Sequence, residues 1–260
     1  MENKKIIYYE DELNDEFSSA KIEPRKIDEN YKYIHKNIIW NASAFLLQNV
    51  ISLPIKFLYA KIKFKTKIIG KEKLKLYKKQ GYFIYGNHTQ AFADTFLISN
   101  AVFPKINYLI VNPENVSMKY LGNAVQMLGA IPIPSNKEAM KNFLNTIETR
   151  IKQGYSITIF PEAHIWPYYT KIRPFKGVSF KYPVQLEVPA FCVTNTYQRY
   201  GKNNDNVKIV SYIDGPFFPD KECVTIKEKQ QNLRDKIYNQ MVKRSKNSNI
   251  EYIKYESEDI

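Results

Sequence analysis

The sequence predicts a single α/β domain with a central, mostly parallel or mixed sheet that is flanked by helices. Short apolar runs recur along the chain at lengths typical of strands, and helical patterns near residues 92–102, 137–153 and 225–244 separate several of them. Strands that alternate with helices are characteristic of α/β domains. A chain of 260 residues is long enough for one such domain with a small appendage. The strand-like runs are residues 82–85, 106–111, 130–133, 156–160, 190–193 and 207–213.

The cysteine content argues against a disulfide scaffold and against a cysteine-based metal site. The two cysteines, Cys192 and Cys223, form neither a disulfide framework nor metal-ligand spacing. A reduced, cytosolic setting fits this content best, and we expect no metal ion. The first residues are acidic and polar, which is not the pattern of a cleavable signal peptide.

The net charge of +13 is unevenly distributed along the chain. Residues 1–30 contain nine acidic and five basic side chains and are predicted to form a mobile acidic tail. Residues 31–80 contain twelve lysines and a single acid, Glu72. Such a basic block favours an anionic partner, either nucleic acid or an anionic membrane surface. The alternative is that the lysines only keep the protein soluble.

Residues 31–60 contain an unusually apolar segment. Across residues 38–60 the only charged side chain is Lys56, and this stretch is long enough to cross a bilayer. Its polar residues make it a poor spanning helix, however, and Pro54 is expected to break it. We therefore predict two short helices that dock on the membrane interface or dip into one leaflet, as a peripheral or monotopic attachment. The alternative is a helix pair that packs on the core of the domain.

The main domain is predicted to occupy residues 61–260. In its first segment, residues 61–68, lysine occupies every second position. A period of two predicts a strand with one lysine-lined face and one buried face. Lysines would also protect an edge strand from pairing with other chains.

The first candidate site is residues 86–94, with the sequence GNHTQAFAD. The segment follows an apolar strand and opens a helical pattern, and α/β folds commonly place reactive groups at such strand ends. The imidazole of His88 can accept a proton near neutral pH, and a nearby carboxylate such as Asp94 can orient the ring. The alternative is that His88 only caps the following helix.

The second candidate site is residues 160–164, with the sequence FPEAH, after another apolar strand. The cations Lys171, Arg173 and Lys176 follow, and together with the carboxylate they can build a polar pocket. A purely structural role stays open for Glu162 and for His164. Two further blocks complete the set, LGAIPIP at residues 128–134 and VPAF at residues 188–191.

These four blocks, in this order and spacing, resemble the glycerolipid acyltransferase family, whose best-known members are lysophosphatidate acyltransferases. The family motifs are Asn-His-x4-Asp, Gly-x-Ile-Phe-Ile-x-Arg, Phe-Pro-Glu-Gly-x-Arg, and Val-Pro followed by apolar residues. The resemblance extends from about residue 60 to residue 215, and FPE followed by PFKG at residues 174–177 is its most specific part. The chain resembles a divergent bacterial-type member, whose apolar helix pair docks the acyltransferase domain on the cytoplasmic face of the cell membrane.

The resemblance implies an O-acyltransferase of phospholipid biosynthesis. It would move a fatty acyl chain from a thioester to a hydroxyl of a lysophosphatidate or related glycerolipid. The donor would be acyl-coenzyme A or acyl carrier protein, with no other cofactor, and anionic membrane lipids would be partners. His88 would act as general base, with Asp94 as its partner. The candidate substrate-binding residues are Asn87, Thr89, Glu162, His164, Lys171, Arg173 and Lys176.

The spacing of the first motif departs from the family pattern. Five residues rather than four separate His88 from Asp94, and Ala93 stands at the expected position of the acid. One added residue turns a helical side chain by roughly 100°. Asp94 can therefore serve only if the loop before the helix absorbs the extra residue.

The family arginines that grip the acceptor's phosphate are also absent. They would fall at Ser135 and Ile165, and the glycine of the third motif would fall at Ala163. Arginine suits phosphate because its planar fork binds two oxygens at once. Either other cations, such as Lys137 and those after the second site, replace them, or the acceptor is not a phosphomonoester.

Two other classes of function stay open from the sequence. A catalytically inactive member of the family would bind lipid or remodel membranes. The altered spacing favours that hypothesis, whereas the retained Asn87-His88 and FPE segments oppose it. The charge alone suggests a nucleic-acid-binding module. However, the lysines lack a stacking pattern of aromatics and any groove-reading motif, so we expect no nucleic-acid partner.

Overall fold

The computed structural model describes residues 5–17, 22–201 and 206–258. Its strands are β1 (Lys5–Tyr9), β2 (Lys67–Ile69), β3 (Tyr82–Gly86), β4 (Asn107–Val111), β5 (Ala130–Pro132), β6 (Ser156–Ile159), β7 (Ala190–Arg199), β8 (Val207–Phe217) and β9 (Ile253–Ser257). Its helices are α1 (Ile38–Leu46), α2 (Ser52–Phe64), α3 (Glu72–Lys75), α4 (Ala93–Val102), α5 (Gly122–Met127), α6 (Lys137–Lys152), α7 (Lys181–Gln185) and α8 (Ile226–Ser245). Short 3-10 turns occur at Pro113–Val116 and Val178–Phe180.

Within the described residues, seven strands form one mixed sheet in the order β2-β8-β7-β3-β6-β4-β5. Neighbouring strands run parallel, apart from the antiparallel pair β7 and β8. β1 and β9 form a separate parallel pair. The predicted α/β fold is confirmed, because each strand-like run of the sequence lies in this central sheet and helices cover both of its faces.

Strand β3 shows how the core positions the candidate sites. All five of its residues are buried, because alternate side chains enter two apolar layers. Phe83 and Tyr85 pack with α6 and α8 on one face, whereas Tyr82 and Ile84 pack with α4 on the other. Tyr85 pairs with Ile159 of the parallel strand β6. The carboxyl ends of these two strands therefore bring both candidate sites together.

The apolar segment forms one continuous helix, Ile38–Phe64, rather than the predicted pair of short helices. A π-helical turn, Leu47–Ile51, joins α1 to α2, and Ser52 Oγ donates to the Gln48 carbonyl at 2.9 Å. This wider turn lies just before Pro54, whose nitrogen cannot donate, so the helix passes the proline without breaking. Among the described residues, it is the one helix long and apolar enough to cross a membrane by length and composition.

The prediction of a strand at residues 61–68 is wrong for the first half of that segment, which is helical. α2 continues to Phe64 and ends at Lys65, which has a left-handed φ of 45°. Only the short strand β2 follows. Ala60 and Phe64, four residues apart, are 1% and 2% exposed. Burial at this helical spacing outweighs the alternating pattern of the lysines.

The described part of the acidic N-terminal segment packs on the domain, in contrast to the mobile tail that the sequence predicts. β1 pairs with β9. Ile27 is fully buried, and its N–H and carbonyl bond to Ser135 Oγ and N–H, each at 2.9 Å. Trp166 Nε1 donates to the Asp15 carbonyl at 2.8 Å, and the Phe17 ring packs edge-on against the Trp166 ring. Apolar and main-chain contacts thus hold a segment whose composition is acidic.

Candidate active site

His88 and Asp94 lie side by side at the carboxyl end of β3. Nδ1 of His88 is 3.1 Å from Oδ2 of Asp94, so the contact predicted between them is present. α4 begins at Ala93 and carries Asp94 in its first turn, after a turn at residues 91–92. The loop therefore absorbs the extra residue of the spacing before the helix begins.

The loop around Asp94 holds its carboxylate in one orientation. The residue is fully buried, and Oδ2 accepts the backbone N–H groups of Thr89 at 2.6 Å and Gln90 at 2.7 Å. Oδ1 accepts from Asn195 Nδ2 on the neighbouring strand β7 at 2.8 Å. Charge-assisted hydrogen bonds of this kind fix the carboxylate, which in turn fixes the imidazole.

The His88 ring is held on one face while its outer nitrogen stays open. The ring stacks on Phe160 with centroids 4.2 Å apart and an interplanar angle of 9°. Gly86 leaves room for the phenyl ring, because a Cβ there would lie 2.8 Å from it. The histidine side chain is 14% exposed, and no described residue hydrogen-bonds to Nε2. With the proton on Nδ1 facing Asp94, Nε2 is the acceptor nitrogen.

Glu162 braces the histidine loop from the neighbouring strand. Oε2 accepts the backbone N–H of His88 and Oε1 accepts that of Arg173, each at 3.1 Å. The Arg173 guanidinium lies 3.4 Å from the same carboxylate. Burial raises the pKa of Glu162, while the Arg173 charge and the two N–H donors oppose that rise. Of the roles left open by the sequence, this geometry is that of a brace.

Main-chain hydrogen bonds also join the loop after β6 to the histidine loop. The Trp166 N–H donates to the His88 carbonyl at 3.1 Å, and the Tyr168 N–H donates to the Thr89 carbonyl at 3.2 Å. Ala163, at the position of the family glycine, has a φ of 64°. An L-residue in this left-handed region costs roughly 1 kcal/mol relative to glycine, which explains the family preference.

Four of the predicted substrate-binding side chains are engaged by the protein itself. Asn87 is 1% exposed and makes two hydrogen bonds to the backbone of Asn195, at 2.8 and 3.1 Å. Thr89 is fully buried, and Arg173, 1% exposed, is held by Glu162 and by main-chain carbonyls. These side chains position the two loops.

The other three predicted residues lie at the surface. Lys171 and Lys176 are exposed. The His164 side chain is 29% exposed, and its Nδ1 is 3.3 Å from the Glu16 carboxylate. Of the predicted substrate-binding set, these three are therefore the residues whose side chains remain accessible to solvent. No group of three or more His, Cys, Asp or Glu side chains within the described ranges could hold a metal ion.

The N-terminal segment contacts the residues at both positions where the family has arginine, Ile165 and Ser135. The Ile165 N–H donates to the Glu16 carboxylate at 3.2 Å, and Ser135 is paired with Ile27. The partners are 149 and 108 residues apart in the chain. The sequence gives no signal for these contacts, because nothing in an acidic composition indicates where the segment docks.

Comparisons with known proteins bear on this arrangement. A family model described as Acyltransferase matches residues 65–195, which include both candidate sites. No curated protein matches the chain. The fold is similar to the crystal structure of the 1-acyl-sn-glycerophosphate (LPA) acyltransferase PlsC from Thermotoga maritima, with a TM-score of 0.53 and 17% sequence identity. The similarity covers 80% of this chain and 88% of the other, and at this identity it shows a shared fold.

Proposed function

Because this chain belongs to the acyltransferase family, we propose that it moves a fatty acyl chain from a thioester to a hydroxyl of a lysophospholipid-type acceptor. The observation that carries the proposal is the His88–Asp94 pair at the carboxyl edge of the sheet, with Nε2 facing no described partner. The acceptor named for the Thermotoga maritima structure supports lysophosphatidate or a related glycerolipid as the acceptor here.

His88 acts as the general base in this scheme. Nε2 takes the proton of the acceptor hydroxyl as its oxygen attacks the thioester carbonyl, which forms a tetrahedral intermediate. Collapse of that intermediate breaks the carbon–sulfur bond, and the departing thiolate takes the proton from the imidazolium. Asp94 orients the ring and stabilises its positive charge. Coenzyme A or acyl carrier protein carries the acyl chain, and no further cofactor enters the reaction.

Direct transfer fits the site better than a route through an acyl-enzyme. The Thr89 hydroxyl, next to His88 in the chain, is fully buried and accepts a hydrogen bond from Tyr197 at 2.8 Å. Cys192 is buried in the core, and burial raises the pKa of its thiol, so it is not an activated nucleophile.

The exposed cations of the segment after β6 suit the polar head group of the acceptor. Lys171 and Lys176 follow the braced loop and are exposed, and they carry the positive charge that an acceptor phosphate needs. His164 lies on the same loop and presents a second type of hydrogen-bonding group. We assign these three side chains to head-group binding.

The surface of the helix Ile38–Phe64 supports attachment to a membrane. Its inward-facing residues, four apart, are Ser52, Lys56, Ala60 and Phe64. Lys56 is only 9% exposed, whereas Ile55 and Ile62 on the outer face are 56% and 68% exposed. A buried lysine with exposed isoleucines reverses the pattern of a helix on a soluble domain.

We propose that this helix lies in the membrane interface as a monotopic anchor. α1 packs against α5 and α2 against α4, and Gln48 Nε2 donates to the Met127 carbonyl at 2.6 Å. Because both α1 and α2 contact the domain, the helix lies along the surface of the domain. Tyr120 and Leu121, beside α5, are 86% and 57% exposed and extend the apolar surface. The surrounding lysines favour anionic lipids and therefore the cytoplasmic leaflet.

Replacing His88 by Ala tests the proposed chemistry. Pure protein is incubated with an acyl thioester and a panel of lysophospholipids and glycolipids, thiol release is followed, and the product is identified by mass. We expect His88→Ala to lower turnover by at least about 10²–10⁴-fold without loss of folding or vesicle binding. The matched control, His164→Ala, should change the KM for the acceptor more than kcat.

The outcomes separate the proposal from its alternatives. Near-native turnover of His88→Ala on a good acceptor would show that the mechanism is wrong. If the native protein acylates no acceptor of the panel, the inactive lipid-binding alternative replaces the proposal.

A further inference from the structure

A groove beside α2 has the shape and lining of a lipid site. It lies between α2, the residues around β2 and the second half of α4. Its volume of about 450 Å³ is within the range of about 300–1,000 Å³ that is typical of small-ligand pockets. Its apolar lining consists of Leu53, Phe57, Ala60, Ile68, Leu97 and Phe103. Phe57 and Phe103 are 52% and 45% exposed, so the mouth of the groove is also apolar.

Two ammonium groups lie in the same lining. Lys61 Nζ donates to the Thr66 carbonyl at 3.0 Å, and Lys71 Nζ donates to the Asn100 carbonyl at 3.1 Å. An ammonium group has three N–H donors, so each lysine keeps donors for a second acceptor. Neither lysine forms an ion pair with a carboxylate of the described residues. Both positive charges are therefore available to an anionic group at the groove.

The groove is separate from the His88–Asp94 pair. In the sheet, β2 lies three strand positions from β3, which corresponds to about 14 Å at the usual strand spacing. Along α4, the lining residues Leu97 and Phe103 follow Asp94 by three and nine residues, so the groove extends along the helix away from the pair. Its lining contains neither His88 nor Asp94, so it is not the space in which the acceptor hydroxyl meets Nε2.

We propose that this groove binds one anionic phospholipid of the bilayer, with an acyl chain on the apolar lining and its phosphate on Lys61 and Lys71. The inference rests on the proposed membrane attachment, because α2 of the interfacial helix forms one wall of the groove. An apolar chain with an anionic head matches both halves of the lining. The bound lipid joins α2 to α4, the helix whose first turn carries Asp94.

Native mass spectrometry of the full chain tests this site. The protein, in non-ionic detergent micelles, is mixed with phosphatidylglycerol or phosphatidylcholine, and the lipid retained per chain is measured. We expect one retained phosphatidylglycerol and no phosphatidylcholine. The variant Lys61→Gln/Lys71→Gln should bind the lipid about 30-fold more weakly. The matched control, Lys63→Gln/Lys67→Gln, removes the same charge from exposed positions outside the groove and should retain lipid as the native chain does.

Vesicle binding distinguishes failure of the groove from failure of the attachment. Both double variants should still bind phosphatidylglycerol vesicles, because each keeps the exposed apolar face of the helix and the remaining lysines around it. A native chain that does not bind these vesicles overturns the attachment and the groove together. Equal lipid retention by the two variants, equal retention of phosphatidylcholine, or displacement of the lipid by one equivalent of acyl thioester overturns the groove site alone.

Discussion

Replacing Glu162 by Gln distinguishes a brace of the histidine loop from a contact to the acceptor. Glu162 is 4% exposed and Arg173 is 1% exposed. The Glu162 carboxylate accepts two backbone N–H groups and lies 3.4 Å from the Arg173 guanidinium. A neutral amide offers one acceptor oxygen instead of two and leaves the buried guanidinium without its counter-charge. Removing one partner of a buried ion pair costs about 3–5 kcal/mol. We expect a loss of that order in the free energy of unfolding.

The matched control is Glu148→Gln on α6. Glu148 lies closer to its partner Lys152, at 2.6 Å, but the two side chains are 44% and 73% exposed. Solvent screens such a pair, so we expect the free energy of unfolding to change by at most about 0.5 kcal/mol. The shorter distance alone would predict the opposite order of effects, so the comparison tests the role of burial.

Thermal unfolding and steady-state kinetics measure the two effects. The expected loss for Glu162→Gln corresponds to a fall in Tm of about 6–20 °C, at about 2–4 °C per kcal/mol for a chain of this size. kcat should fall as well, because the His88 backbone loses its acceptor, while the KM for the acceptor should change little. A variant with native Tm and a raised KM would show that Glu162 contacts the acceptor, and the bracing role would be refuted.

Three further substitutions test other parts of the structure. Ala163→Gly should raise the free energy of unfolding by about 0.5–1 kcal/mol in urea titrations, because glycine adopts the positive φ without strain; no change would contradict strain at this position. Ile55→Asp should reduce sedimentation with phosphatidylglycerol vesicles, whereas Val224→Asp, at an 82% exposed position off the helix, should not; equal losses would argue against the helix as the anchor. Burial lowers the pKa of Lys105 to about 8, below about 10.4 in the unfolded chain. Between these two pKa values Lys105 is protonated in the unfolded state and neutral in the folded state, so the free energy of unfolding should rise with pH. The variant Lys105→Met should lack this contribution to the rise.

Local sequence patterns predict those helices and strands in which the buried side chains are the apolar ones. The apolar pattern predicts a helix at residues 137–153, and α6 spans Lys137–Lys152, because its apolar face repeats at the helical period. The pattern predicts a strand only at residues 190–193, but β7 continues to Arg199. The part beyond residue 193 begins with Thr194, Asn195 and Thr196, which are polar and at most 3% exposed. Hydropathy cannot identify a strand whose buried side chains are polar.

The same limit explains why Asn195 was missed as a member of the site. Its amide bonds Asp94, and its backbone bonds Asn87. The parallel pairing of β3 with β7 brings these residues together across about a hundred positions of sequence. His88 and Asp94 are close in the chain and were found from the motif. A residue such as Asn195, which reaches the site from another strand, cannot be identified from the sequence around His88 and Asp94.

The acidic N-terminal segment leads to a last prediction, about which acceptors the site accepts. The Glu16 carboxylate accepts the N–H of Ile165 and lies 3.3 Å from His164 Nδ1. A phosphate brought to about 4 Å from this carboxylate would meet a repulsion of about 4 kcal/mol per unit charge at an effective dielectric constant of 20. We therefore expect Glu16→Gln to raise the turnover of phosphomonoester acceptors relative to zwitterionic lysophospholipids. Glu23→Gln, the same change at an exposed position of the segment, should leave the ratio unchanged. An unchanged ratio in Glu16→Gln would show that the acceptor's phosphate lies away from Glu16, on the side of Lys171 and Lys176.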